Sequence, residues 1–285
     1  MRTLEVLDPG RYALVEDLGR PGYAHLGVAP SGALDAASLR LANRLAGNTE
    51  AAAGIEALLG GLSVRFTAAA TAAVTGPAVE VRVDGRSVGS HAPLAVRAGQ
   101  TLSVGTASTG LRCYLAVSGG IAVEPVLGSR SRDVLSGIGP APLTAGDVLP
   151  LGAPAGIPAG ADVVVPAAAP ADLVVPVTLG PRDDWLDEPA HGLSAWWTVT
   201  ADSNRVGLRL DGTPLRRADR FAEVELPSEG VVTGAIQVPP SGLPVVFLAD
   251  HPTTGGYPVA AVVRTAALGA LAQARPGTRI RFRPA

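Results

Sequence analysis

The densest group of polar side chains that could do chemistry lies in glycine-rich turns between residues 237 and 258. The run Thr253-Thr254-Gly255-Gly256 combines two hydroxyls with backbone N–H groups that no Cβ shields, a combination that can accept an anion. Asp250 and Gln237 add a carboxylate and an amide that could orient a small molecule. The alternative is a structural loop, in which Asp and Thr satisfy their own turns and glycine supplies positive φ. The residues alone leave both interpretations open.

Three arginines, Arg130, Arg132 and Arg205, are the cations near such turns. The planar guanidinium group suits bidentate binding of a carboxylate or a phosphate. The alternative is an ordinary ion pair across a turn with a neighbour such as Asp133 or Asp202. Without further information the residues favour this structural alternative.

The sequence contains no lysine, because all 23 of its basic residues are arginine. A Walker A loop needs a lysine for the β- and γ-phosphates, and Schiff-base chemistry needs a lysine amine. Biotin is likewise carried on a lysine. This chain therefore has no Walker A site, no Schiff-base lysine and no covalently attached biotin.

Charge and hydropathy exclude further classes of protein. The formal net charge of −2 offers no basic field for nucleic acid. No apolar run reaches the roughly 18 residues of a membrane span, and the residues after Met1 lack the apolar region of a signal peptide. The single cysteine, Cys113, lies in an apolar run and is interpreted as a small buried hydrophobe. We expect a cytoplasmic protein.

The sequence does not support three familiar kinds of site: a nucleophile elbow, a metal site and a dinucleotide-binding fold. Gly85-Arg86-Ser87-Val88-Gly89 has the spacing of a nucleophile elbow, but it follows an Asp-Gly hairpin turn rather than leading into a helix. The four histidines stand far apart, so the sequence predicts no metal site. No G-x-G-x-x-G follows a strand, which disfavours a dinucleotide fold.

The elements that must position these residues are mostly short strands. Two helices are predicted, at Asp35–Ala46, which Gly47 ends, and at Ala261–Ala274. Many short strands with few helices indicate a mainly-β barrel or sandwich. Strands are predicted at Val79–Val83, Leu102–Val104, Leu111–Val117, Val206–Leu210, Val245–Leu248 and Arg279–Phe282.

The domain organisation follows from a segment rich in alanine and proline. It predicts an N-terminal lobe at 1–155, a linker at 156–176 and a C-terminal lobe at 177–285. An internal repeat is hinted at by Val28-Ala29-Pro30-Ser31-Gly32, which matches Val238-Pro239-Pro240-Ser241-Gly242 at four of five positions.

Taken together, the glycine-rich segments resemble the biotin-dependent carboxyltransferase-like family, from about Val15 to Phe282. The motifs that carry the resemblance are Asp-Leu-Gly-Arg-Pro-Gly at 17–22, Pro-Ser-Gly-Ala-Leu-Asp at 30–35, Ser-Gly-Gly-Ile at 118–121, Gly-Ser-Arg-Ser-Arg-Asp at 128–133, Asp-Ser-Asn-Arg-Val-Gly at 202–207, Gln-Val-Pro-Pro-Ser-Gly at 237–242 and Thr-Thr-Gly-Gly-Tyr-Pro at 253–258.

The resemblance implies two cyclophilin-like β-barrel lobes with a few short helices. Family members include the C subunit of 5-oxoprolinase, the protein long labelled allophanate hydrolase subunit 2, and an antagonist of a sporulation-kinase inhibitor. The implied partner is a kinase-inhibitor-like B subunit, in a heterodimer or heterotetramer, together with an A subunit for ring opening. The implied activity is ATP-dependent activation of the lactam 5-oxoproline, with or without magnesium, for hydrolysis to L-glutamate.

Two other functions remain open under the same resemblance. One is the carboxyltransferase module of a biotin-dependent urea carboxylase or allophanate system, which needs a separate biotin carrier. The other is a regulatory protein that binds the kinase-inhibitor-like partner without chemistry. Because Asp250, Gln237 and Arg205 are polar residues in or beside segments that match the family motifs, we expect them to be catalytic. Substrate-binding residues are expected to be Ser241, Thr253, Thr254, Gly255, Gly256, Tyr257, Arg130 and Arg132.

Overall fold

The computed structural model describes residues 2–159 and 171–284, whose contacts divide the chain into two compact units. The first unit comprises Met1–Arg20, Ser31–Asp133 and Gly137–Ala169, and the second comprises Pro21–Pro30, Val134–Ser136 and Pro170–Ala285. Most of the predicted linker at 156–176 falls on residues 160–170, which lie outside the described residues. The lobe boundaries at 155 and 177 stay predictions.

Within the described residues, the first unit contains two antiparallel sheets and one α-helix. One sheet has the strand order β11-β1-β4-β9-β6-β7, and the other has the order β2-β3-β10-β5-β8. These strands are β1 (Thr3–Asp8), β2 (Ala13–Glu16), β3 (Gly54–Leu58), β4 (Ser63–Phe66), β5 (Ala70–Thr75), β6 (Val81–Val83), β7 (Arg86–Val88), β8 (Leu94–Val96), β9 (Thr101–Val104), β10 (Arg112–Val117) and β11 (Val148–Pro150).

Strand β10 shows why one apolar run can be buried along its whole length. Cys113 and Leu115 point into an aliphatic core to which both sheets contribute. Tyr114 and Ala116 point to the opposite face and pack against the helix. With both faces covered, a strand needs no polar alternation, and all six residues of β10 are buried. The interpretation of Cys113 as a buried hydrophobe is confirmed, since it is 2% exposed.

The helix α1 (Ala36–Ala46) begins and ends on the signals that predicted it. The Asp35 carboxylate accepts a hydrogen bond from the backbone N–H of Ser38, which caps the first turn. Gly47 adopts the left-handed conformation, with φ of 78°, and its N–H caps the last turn. Leu39 and Ala42 are buried on the face that contacts the sheet.

A buried polar network joins the start of this helix to the sheet. The Tyr114 hydroxyl donates to Oε2 of Glu56 at 2.8 Å and accepts from the backbone N–H of Asp35 at 2.8 Å. Glu56 also pairs with Arg112, whose Nε lies 3.3 Å from Oε1. Burial, together with the nearby carboxylates of Glu56 and Asp35, raises the pKa of Tyr114 well above its usual value of 10.0. Its hydroxyl therefore stays protonated and keeps donating.

The second unit is built around a closed barrel with the strand order β12-β19-β16-β17-β14-β13-β20. The parallel pairing of β12 with β20 completes the circle, and the other pairs are antiparallel. A separate two-stranded sheet joins β15 and β18. The elements are β12 (Asp172–Leu179), α2 (Pro189–Leu193), β13 (Trp197–Val199), β14 (Gly207–Asp211), β15 (Glu229–Gly230), β16 (Ala235–Gln237), β17 (Val245–Phe247), β18 (Thr254–Gly255), β19 (Val259–Val263), α3 (Leu268–Ala272) and β20 (Arg279–Pro284).

The predicted helix at Ala261–Ala274 is wrong over its first half. Residues up to Val263 belong to β19, a 3-10 turn follows at Thr265–Ala267, and only α3 is α-helical. The alanines favour a helix locally, but β19 pairs with β12 on one side and β16 on the other. Closing the barrel therefore overrides the local propensity.

The predicted mainly-β class with few short helices is confirmed, including a barrel in the second unit. The predicted strands are all found, and the Asp84-Gly85 turn joins β6 to β7 as a hairpin. Within the described residues, no helix is long and apolar enough to cross a membrane.

Candidate functional site

Asp250 and Arg205, both predicted to be catalytic, form a buried ion pair in the second unit. The Nε of Arg205 donates to Oδ2 of Asp250 at 2.8 Å, and Nη2 lies 3.3 Å from Oδ1. Their side chains are 6% and 0% exposed. The backbone N–H of Val134, which is grouped with the second unit, also donates to Oδ2 at 3.2 Å. A fork-like pair buried this deeply positions the backbone around it.

The segment that follows Asp250 runs antiparallel to residues 229–233. Strand β18 pairs with β15, aligning Gly255 with Glu229. The backbone N–H of Val231 donates to the carbonyl oxygen of Thr253 at 3.0 Å. At the start of the segment, His251 is buried and its Nε2 lies 3.1 Å from the hydroxyl of Thr233. The Thr-Thr-Gly-Gly run is thus partly strand, held along one edge.

The Gln237 side chain lies close to the backbone of Gly255. Gln237 ends β16, is 7% exposed, and donates from Nε2 to the carbonyl oxygen of Tyr257 at 3.2 Å. A Cβ at Gly255 would overlap the same Nε2. Gly255 has no positive φ, so a larger residue here would have to displace the Gln237 amide rather than strain the backbone.

The remaining predicted substrate-binding residues of the second unit differ in exposure. Ser241 and Thr254 are exposed, Thr253 is half-buried, and the Tyr257 ring is 45% exposed. In the part of the chain that the structure describes, the hydroxyls of Thr253 and Thr254 have no hydrogen-bond partner. These hydroxyls can therefore bind solvent or a ligand.

An ion pair that the sequence did not suggest lies beside this segment. Arg182 pairs with the Glu229 carboxylate through both Nε, at 3.1 Å, and Nη2. Glu229 belongs to β15, so the pair ties residues after β12 to the strand that supports Thr254 and Gly255. The hydrogen bonds from Arg182 lower the pKa of Glu229 below its usual 4.5. The two residues are 47 positions apart, and no local pattern connects them.

In the first unit, the family motifs at 17–22 and 128–133 meet at Asp17. Its carboxylate accepts from the hydroxyls of Ser129 and Ser131, each at 2.6 Å, and from the backbone N–H of Arg130 at 2.6 Å. Asp17 was not among the predicted site residues, although it opens the first family motif. It orients the loop that carries the two predicted arginines.

Arg130 and Arg132 are held mainly by backbone carbonyl oxygens. Arg130 donates from Nε to Val123 at 2.7 Å, and Arg132 donates from Nη1 to Gly137 at 2.7 Å. Across the described ranges, Nη1 and Nη2 of Arg130 have no hydrogen-bond partner, and Nε of Arg132 is buried without one. In both arginines, some N–H groups of the guanidinium make no hydrogen bond within the protein. These donors remain for an anion.

Arg20, which the sequence patterns did not suggest as a site residue, also has a guanidinium nitrogen without a partner, and its side chain is more deeply buried. It is 2% exposed and donates to the carbonyl oxygens of Val126 and Ser131. Its Nη1 is buried and, among residues 2–159 and 171–284, has no hydrogen-bond partner. Of the predicted substrate-binding residues, Arg130 and Arg132 lie in the first unit, whereas the others lie in the second.

The G-x-S-x-G motif at 85–89 does not have the structural context of a nucleophile elbow. Ser87 lies on the exposed hairpin strand β7, not at a strand-to-helix turn. Among the described residues there is no group of three or more His, Cys, Asp or Glu side chains that could hold a metal ion.

The chain matches the family model for the carboxyltransferase domain, subdomain A and B, over residues 26–284. It is 37% identical to the C subunit of 5-oxoprolinase from Escherichia coli over 98% of this chain and 90% of that protein. The corresponding protein of Haemophilus influenzae is 35% identical over the same shares. The structure of the K. lactis urea amidolyase superposes with a TM-score of 0.91 at 33% identity, covering 99% of this chain.

The chain spans 18% of that urea amidolyase chain, but most of the bacterial relatives' length. The match to the family model covers nearly the whole chain, including both units. The chain therefore belongs to the carboxyltransferase domain family, subdomain A and B.

Proposed function

We propose that this chain is the C subunit of an ATP-dependent 5-oxoprolinase. It would act with the kinase-inhibitor-like partner to activate 5-oxoproline and with the ring-opening partner to complete hydrolysis to L-glutamate. The observation that carries the proposal is the 37% identity to the E. coli protein of that name along 90% of its length. The role belongs to an enzyme complex, in the cytoplasm, rather than to the isolated chain.

The chemistry explains which groups the complex must supply. A five-membered lactam is a stabilised amide, and transfer of the γ-phosphoryl group of ATP to its oxygen makes the carbonyl carbon open to attack. ADP leaves in that step, and hydrolysis then opens the ring and releases phosphate. The enzyme must hold phosphates and the substrate carboxylate in a fixed geometry. Cationic donors and small hydrogen-bonding groups are needed for both.

The arginines of the first unit fit the anionic part of this task. Arg130 keeps both terminal nitrogens for a ligand while its Nε is fixed to Val123. Arg132 is fixed through Nη1. With no lysine in the chain, guanidinium groups are its permanently charged side chains for binding phosphate. We assign Arg130 and Arg132 as clamps for the phosphates or for the substrate carboxylate.

The second unit supplies groups suited to a small polar molecule. The amide of Gln237 is fixed by Tyr257, and the hydroxyls of Thr253, Thr254 and Ser241 provide donors on the loops around it. Gly256, which has no Cβ, leaves its half-buried backbone uncovered on this segment. The buried Arg205–Asp250 pair holds the start of the segment, so its effect on turnover passes through the position of the two threonines.

The test is ATP turnover by this chain co-purified with the kinase-inhibitor-like partner of the same organism, with and without 5-oxoproline. We expect ADP release that depends on 5-oxoproline and on both proteins, and glutamate after the ring-opening partner is added. Arg130→Ala and Gln237→Ala should lower turnover at least tenfold, whereas Ser87→Ala should not change it. No stimulation by 5-oxoproline, even with the ring-opening partner present, would reject the proposal.

A second candidate, favoured by the similarity to urea amidolyase, is carboxyl transfer from carboxybiotin. It would require a separate biotin carrier, because the chain has no lysine to bear biotin. Transfer of labelled carboxylate from a carboxylated biotin carrier to urea, measured in the same preparation, separates the two candidates. A complex that forms but catalyses neither reaction would instead support a regulatory role.

A further inference from the structure

One part of the barrel's outer surface in the second unit combines positive charge with exposed apolar groups. On β20 the residues alternate, so Ile280 and Phe282 are buried while the arginines before, between and after them face outward. On neighbouring elements, Val174 of β12 is 44% exposed and Trp196, just before β13, is 41% exposed. We call the outward-facing residues Val174, Trp196, Arg279, Arg281 and Arg283 the arginine face.

Trp196 organises the centre of the arginine face. The guanidinium carbon of Arg279 lies 4.9 Å from the centre of the indole ring, and that of Arg281 lies 5.1 Å from it. Both distances are within the range of cation–π attraction. The contacts hold two long side chains in place, which reduces the entropy that they would lose on binding a partner.

The positive charge of this face is only partly balanced. Arg279 pairs with Asp172, its neighbour in the parallel register. Within the described residues, Arg281 and Arg283 pair with no carboxylate. Arg281 instead lies opposite the exposed Val174. The face therefore presents two unneutralised guanidinium groups beside apolar surface.

Three of the five acidic residues at 183–188 and 219, which a second copy of this chain could offer, are already paired, since Arg216 contacts Asp187 and Asp219, and Arg220 contacts Asp184. Nucleic acid fits poorly as well, because the net charge of the chain is −2 and the arginines form one short row.

Tryptophan and arginine are also the residues that most often dominate the binding energy of protein interfaces. We propose that the arginine face is a docking surface for an acidic surface of another protein, which rests on the proposed function in identifying that protein as the kinase-inhibitor-like partner. Carboxylates of the partner would pair with Arg281 and Arg283, and an apolar side chain would cover Trp196 and Val174.

The test measures the dissociation constant of this full chain with the kinase-inhibitor-like partner by calorimetry at two salt concentrations. Arg281→Glu is expected to weaken binding at least tenfold, because it puts a like charge against the acidic partner. Trp196→Ser should weaken it by a similar factor. Raising the salt should weaken the wild-type complex more than the Arg281→Glu complex.

Arg209→Glu is the matched control. Arg209 is exposed on β14 of the same barrel, outside the arginine face, and its substitution should leave the dissociation constant within about twofold. The near-ultraviolet circular dichroism of Trp185 and Trp197, which every variant retains, verifies that each variant is folded.

Dissociation constants that Arg281→Glu and Trp196→Ser both leave unchanged would overturn the docking proposal. So would failure of the kinase-inhibitor-like partner to bind, or binding of phosphatidylserine vesicles or single-stranded DNA that these variants abolish while partner binding persists. The proposed function is judged separately by turnover. A complex that both variants weaken, yet that releases no ADP with 5-oxoproline, would leave the docking surface standing and reject the 5-oxoprolinase assignment.

Discussion

Asp17 in the first unit and Asp250 in the second are both buried carboxylates in motif segments, and they are satisfied in opposite ways. Asp17 accepts hydrogen bonds from the hydroxyls of Ser129 and Ser131 and from backbone N–H groups. Asp250 is paired with the guanidinium group of Arg205. The first arrangement spreads one charge over several neutral donors, and the second places a full positive charge against it.

This difference predicts how each site fails. When one of several neutral donors is removed, the others still solvate the carboxylate. When the cation of a buried ion pair is removed, a charge remains in a medium that solvates it poorly. Glu56 lies between these cases, because it has both a cation, Arg112, and a neutral donor, Tyr114.

The largest effect is expected for Arg205→Ala, which should lower the free energy of unfolding of the second unit by about 3–5 kcal/mol. All three tryptophans, Trp185, Trp196 and Trp197, lie in this unit, so fluorescence during urea unfolding reports on it directly. Asp172→Ala, which breaks an exposed ion pair of the same barrel, should leave the midpoint nearly unchanged. If both variants lost the same free energy of unfolding, the burial of the ion pair would not determine how much stability its loss costs.

An intermediate effect is expected for Tyr114→Phe, about 2 kcal/mol in the first unit, since it removes a donor to Glu56 and an acceptor for Asp35. Labelling of the buried thiol of Cys113 in urea, followed by mass spectrometry, measures the opening of this unit. If Cys113 became labelled at the same urea concentration in the variant as in the wild-type protein, the hydrogen bonds of the Tyr114 hydroxyl would add nothing to stability.

The pH dependence of the same residue sharpens the comparison. The pKa of Tyr114 is raised in the folded state, so the unfolded chain releases this proton first as pH rises above about 10. The contribution of Tyr114 to stability is therefore complete below that pH and lost above it. The Phe variant should show a weaker fall of stability at alkaline pH. If stability fell equally with pH in the wild-type protein and the Phe variant, the ionisation of Tyr114 would not be the cause.

A smaller effect is expected for Ser131→Ala, about 1 kcal/mol in the first unit, because Ser129 and the backbone N–H groups still serve Asp17. The exposed Ser87→Ala provides the matched control, with no expected change in thiol labelling. A loss as large as that of Arg205→Ala would contradict the view that distributed neutral donors tolerate deletion.

The smallest effect concerns His91, a buried histidine whose ring nitrogens lie 3.0 Å from the hydroxyl of Ser90 and 3.0 Å from the carbonyl oxygen of Gly76. Burial lowers the pKa of His91 below 6.5. As pH falls below 6.5, the unfolded chain takes up this proton first, so the stability of the first unit should decline slightly. His91→Gln should flatten that decline, and an unaltered acid limb would exclude His91 as its cause.

Local sequence determined much of the fold. The cap at Asp35 and the stop at Gly47 define α1, and the Asp84-Gly85 turn defines a hairpin, because each signal acts within a few residues. The apolar run at Leu111–Val117 likewise became a strand. The absence of lysine is a property of composition, and it alone removed three kinds of chemistry.

Contacts between distant residues were decided by the tertiary structure alone. Arg205 pairs with Asp250, which lies 45 positions away, so no local pattern could join them. The alanine-rich stretch at Ala261–Ala274 favours a helix locally, but barrel closure draws its first residues into β19. Local propensity is worth a fraction of a kcal/mol per residue, whereas strand pairing and buried charge compensation are worth several when summed, so the distant contacts prevail.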